Sequence, residues 1–114
     1  MILKTKIDVT YNQGVTGTAT GIVQGQLLSA GWIDETFTKI GANYIYADAN
    51  GNQIEKNGFV IEGDEIQNLY DSVIGFVPEG LDYKSTQQYL YNLGFMSVMA
   101  QTFGIETTDI EIVQ

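Results

Sequence analysis

Residues 44–61 read Tyr44-Ile45-Tyr46-Ala47-Asp48-Ala49-Asn50-Gly51-Asn52-Gln53-Ile54-Glu55-Lys56-Asn57-Gly58-Phe59-Val60-Ile61, and their interpretation decides the fold. Asn50 and Gly51 both tolerate positive φ, the conformation that a type I′ hairpin turn requires, and strand-forming residues flank them on both sides. The outgoing arm runs from Thr36 to Asp48 and carries Phe37, Ile40, Tyr44, Ile45 and Tyr46. The returning arm spans Ile54 to Ile61, with a second turn signal at Asn57-Gly58. An antiparallel hairpin is therefore the expected centre of the molecule.

Toward the N-terminus, Leu3, Thr5, Ile7, Val9 and Tyr11 alternate with Lys4, Lys6, Asp8 and Thr10. A period of two predicts one half-buried strand, closed by the Asn12-Gln13-Gly14 turn. From Val15 to Gln26, Thr16, Thr18 and Thr20 alternate with Gly17, Ala19 and Gly21, and Gly25 follows. Two readings fit that pattern. One is a long flat strand approached closely by another backbone, which small residues permit; the other is a flexible loop. The apolar run Leu27 to Ile33 contains the single tryptophan, Trp32.

Toward the C-terminus the period changes. Asp64 can cap a helix with Gln67 three residues on, and Ile66, Leu69, Tyr70, Val73 and Ile74 form an apolar stripe ended by Gly75. Ser85 with Gln88 repeats the capping pattern, and Tyr89, Leu93, Met96, Ala100 and Phe103 mark a second stripe stopped by Gly104, with Ile105 as its hydrophobic contact. Tyr91, Phe95, Val98 and Met99 lie off that stripe, so little of this helix is polar. A helix apolar nearly all round is buried in a core or against another chain. Thr108 to Val113 closes the chain as a strand, and pairing it with the first strand sets Lys4 and Lys6 against Asp109 and Glu111. The expected fold is one α+β domain over 1–114: a mainly antiparallel sheet with a β-hairpin, followed by two helices packed on one face and a C-terminal strand.

At 114 residues and 12.6 kDa, the chain has the size of one domain. Surface scaling gives a folded area near ~6,000 Å² against ~18,000 Å² extended, enough for a core without covalent staples. Five lysines face fourteen acidic residues for a net charge of −9, a poor balance for coating nucleic acid or anionic lipid. Neither Cys nor His is present, which removes disulfides, thiolate chemistry, the Ser-His-Asp triad and the commonest zinc sites. No signal-peptide pattern opens the sequence, and no run of about 18 apolar residues predicts a membrane-spanning helix.

Carboxylates are the remaining route to acid–base chemistry. Glu62, Asp64 and Glu65 cluster in sequence, but they fall at a helix start, where the dipole favours acids. Asp48 to Asn52 is superficially like a calcium loop; with Gly51 sixth, Tyr46 would be first and Asn57 twelfth, and neither suits an EF-hand. The glycine-rich stretches lack the GK[ST] of a phosphate loop. No catalytic residue, cofactor or metal is therefore predicted.

In its acidic strands rich in Gly, Thr, Asn and Gln, its lack of Cys and His, and its Tyr44 to Ile61 hairpin, the chain resembles small bacteriophage virion proteins of head, neck or tail. That resemblance implies a non-enzymatic structural subunit in capsid decoration, the head–tail connector or the tail. Its implied partners are copies of itself and other structural proteins, as a homo-oligomer, without nucleic acid or membrane. The implied location is the virion after synthesis in the host cytoplasm; otherwise the expectation is a cytoplasmic protein. Bulky apolar groups that so small a domain would leave uncovered, Trp32, Tyr91, Phe95 and Met99, are the expected interface. The alternative expectation is a small module binding carbohydrate or peptide through exposed Tyr and Trp. An enzyme using only carboxylates and Tyr is a third, which would need two converging acids in a deep cleft.

Overall fold

A computed structural model describes residues 2–13, 17–32, 39–65, 68, 80 and 83–113, with the side chains of 32 and 83–87 left aside. Its strands are β1 (Ile2–Thr5), β2 (Val9–Asn12), β3 (Thr18–Gly21), β4 (Val23–Trp32), β5 (Lys39–Asp48), β6 (Gln53–Glu62) and β7 (Ile110–Val113). Helix α1 spans Tyr83–Phe103, and a 3₁₀ turn, Thr107–Asp109, leads into β7. Five strands form an antiparallel sheet in the order β6-β5-β4-β1-β7, while β2 and β3 pair separately. The expected pairing of the two terminal strands is present: Lys4 lies opposite Glu111, and the Lys6 N–H donates to the Asp109 carbonyl at 2.7 Å.

The hairpin forms where expected but turns one residue earlier than a type I′ loop would. The Gly51 N–H donates to the Asp48 carbonyl at 3.0 Å and the Asp48 N–H to the Asn52 carbonyl at 2.9 Å, enclosing a three-residue loop with Gly51 at φ 86°. Asp48 decides this. Its Oδ1 accepts the N–H groups of Asn50 and Asn52, both at 2.9 Å, which holds the chain in the Asx-type turn. A positive-φ glycine after such a turn makes a bulged three-residue hairpin. The pairing slips once between Tyr46 and Ala47, and Asn57-Gly58 stays within β6 as a continuous strand.

The N-terminal alternation is two strands in different sheets. The chain bends at residues 6–8, leaving Ile7 43% exposed while Leu3, Thr5 and Val9 are buried as the alternation predicts. Buried Thr5 ties the junction: its Oγ1 accepts the Val23 N–H at 3.0 Å. Residues 17–26 resolve the two earlier readings as strands β3 and β4, separated at Ile22; Val15 and Thr16 lie outside the described residues. The close approach at Gly25 comes from a side chain of this chain, not from another backbone. A Cβ on Gly25 would stand 2.7 Å from the Phe95 Cζ and 3.3 Å from the Met99 Sδ.

Among the described residues one long helix, α1, lies on the sheet, in place of the two expected. Asp64, Glu65 and Asn68 have helical backbone; the rest of the expected first helix, like Phe37 and Ile33, lies outside the described residues. α1 starts before the expected cap at Ser85 and stops as expected. Gly104 has φ 65°, the Ile105 N–H donates to the Ala100 carbonyl at 3.0 Å, and Ile105 packs on the core. The predicted stripe forms only the flank of the inward face: Ala100 is buried, and Leu93, Met96 and Phe103 are half-buried against the core. The centre of that face is Tyr91, Phe95 and Met99, with Phe95 and Met99 fully enclosed by Leu3, Val23, Tyr44 and Tyr46. The Phe95 ring stacks on Tyr46 at 5.8 Å and meets Tyr44 at 4.9 Å.

Candidate functional site

Alternate residues of a strand face opposite sides of a sheet, and register aligns them in rows. On the side facing α1, Glu55, Tyr46, Gly25, Leu3 and Ile112 form one such row. Among the described residues no element covers the other side. One row there runs Lys56, Ile45, Gln26, Ile2, Val113 across all five strands, and the next runs Gln53, Ala47, Gln24, Lys4, Glu111. In the opposite direction come Gly58, Asn43, Ser29, then Val60, Gly41, Gly31, then Glu62 with Lys39. None of these residues is buried, and Val60 is 56% exposed.

Two properties set this face apart. Glycines at 31, 41 and 58 leave a shallow trough of 640 Å³ beside the Ile45–Ile2 row, with Asn43 donating across it to the Ser29 hydroxyl at 3.1 Å. The positions on the face carry Lys4, Lys39 and Lys56 against Glu62 and Glu111, a net +1 in a chain of net −9. Lys39 and Glu62 pair at 3.5 Å in largely exposed surroundings, where such a bridge is worth ~0–1 kcal/mol.

A second concavity of 400 Å³ lies between the β2–β3 pair and the hairpin tip, lined by Tyr11, Asn12, Gln13, Asp48, Asn52, Gln53 and Ile54. Asp48 is already committed there. Besides its two backbone donors it accepts the Asn52 Nδ2 at 3.3 Å, and these hydrogen bonds, that of the Asn52 backbone foremost, hold its carboxyl below the usual aspartate value. A carboxylate so engaged is a poor proton carrier near neutral pH. Among the described residues no three of His, Cys, Asp and Glu gather to hold a metal, and no helix is long and apolar enough to cross a membrane.

The expected interface residues do not converge on either surface. Phe95 and Met99 are 0% exposed and Tyr91 is 8% exposed, packed with Ile40 and Leu90. This chain therefore covers all three itself, because the glycine at 25 lets the helix settle deep onto the sheet. The Trp32 side chain lies outside the described residues. The open-face residues are not among those the sequence singles out as a site. Their signal is the alternation of Lys39, Gly41, Asn43, Ile45 and Ala47, but each arm alone has the pattern of an ordinary solvated strand face.

No protein-family model, no curated protein and no solved structure matches this chain.

Proposed function

We propose that this protein is a non-enzymatic structural subunit of a larger assembly, a phage virion component of the capsid, connector or tail acting through contacts with its own copies and other structural proteins. The observation that carries this reading is the five-stranded face left unburied among the described residues, with Ile45, Ile2 and Val113 in one row, its trough and its balanced charge. The likeness to small virion proteins in composition supports the setting. Light scattering on the protein leaving a sizing column, at two concentrations and two salt levels, tests it. The expected result is a species heavier than 12.6 kDa that strengthens with salt, as screening relieves the acidic surface. A monomer under all four conditions overturns self-assembly.

The amide-lined cleft beside Tyr11 favours a second reading, a module for a neutral carbohydrate or peptide. Titration with oligosaccharides or peptides, followed by backbone amide shifts, should then move Tyr11, Asn12 and Asn52. Shifts spread over the surface, or none, reject the cleft.

A further inference from the structure

Building on that assembly reading, we infer that the open sheet face is a self-association surface, which seats the same face of a second copy in a two-fold, face-to-face dimer. Charge selects this occupant. Among the described residues outside the face, Lys6 stands against seven acidic groups, net −6, so two copies meeting there bring like-charged surfaces together. The face itself, at net +1, is where two copies approach with little repulsion, and its lysines and glutamates can exchange partners across the two-fold.

Size and relief agree. Three strands of ten residues and two of four give a flat projection of roughly 600 Å² from standard strand spacings. With side-chain relief this approaches the ~800 Å² per partner of a standard interface. The Ile45–Ile2 row stands beside the trough at Gly31, Gly41 and Gly58. An in-plane two-fold along the rows sets the ridge of each copy over the trough of the other. Among the described residues neither edge strand, β6 or β7, has a further neighbour, and such a dimer leaves both edges uncovered, so it can act as the unit from which a larger assembly is built.

Two substitutions test the face without touching the core. A Cβ at Gly31 meets nothing within 4 Å, so Gly31→Gln fills the trough while the fold tolerates it. Lys56→Glu reverses an exposed charge on the ridge row. Concentration-dependent light scattering of wild type and both variants is compared, with thermal melts confirming that each variant folds. Wild type is expected at twice the 12.6 kDa chain mass, or at a multiple of that dimer. Each variant should raise the dissociation constant at least ~10-fold, the effect of a central interface residue. An oligomer that neither variant weakens overturns this face while leaving the assembly reading intact. A wild-type monomer throughout overturns both.

Discussion

Gly25 has no spare room: the Phe95 ring occupies the space where a side chain would begin. Gly25→Val should therefore cost ~1–3 kcal/mol in a urea unfolding experiment, since helix and sheet must part to admit it. Equal stability of the two proteins would show that α1 yields freely. Tyr46 makes the opposite case. It is fully buried, and Thr102 and Tyr44 lie near enough to act on its hydroxyl, but among the described residues no donor or acceptor meets that hydroxyl at full hydrogen-bonding geometry. An unpaired buried hydroxyl brings a desolvation cost without recompense, so Tyr46→Phe is expected to be neutral or to stabilise by ~1 kcal/mol. A clear loss in the same unfolding assay would reveal a bond to that oxygen. Neither effect was legible in the sequence, where Gly25 was one of several small residues and Tyr46 one of seven tyrosines.

At the scale of elements, the hairpin shows how a local signal can be right about place and wrong about form. Asn50-Gly51 marked the reversal, but Asp48, whose carboxylate holds two backbone N–H groups, shifted the turn by one residue. The consequence is a pH dependence of known sign. Asp48 has a folded pKa below its unfolded value, so the unfolded chain binds the proton more readily. Its contribution is complete above the usual aspartate range and is lost as pH falls through the lower, folded value. Thermal midpoints of wild type should accordingly drop on acidification below about pH 4, and Asp48→Asn should flatten that part of the profile. An unchanged slope in the variant would assign the acid sensitivity to other carboxylates. The helix end behaves differently, since Gly104 and Ile105 form the stop that their types alone predict.

For the whole molecule, the decisive contact is between α1 and the sheet. Phe95→Asp would bury a charge among Tyr44, Tyr46 and Leu3, so it should abolish the cooperative thermal transition and not merely dissociate an oligomer. A folded variant with normal melting would remove Phe95 from the core. Alkali acts on the same contact: burial raises the Tyr44 and Tyr46 hydroxyls above their ordinary pKa, so stability present below about pH 10 should fall as pH climbs past it. By itself the sequence determined the strand-rich hairpin, the helix end at Gly104, the strand after it and the opposition of Lys4 to Glu111, because turn chemistry, periodicity and charge act over short windows. Only tertiary structure decided that residues 3–11 split between two sheets, that Tyr91, Phe95 and Met99 face inward, and that among the described residues the lysine-bearing side of the sheet is left unburied. Those outcomes depend on fitting surfaces distant in the chain. A helix apolar on nearly every side has no preferred face until a bare glycine on the sheet admits one of its rings.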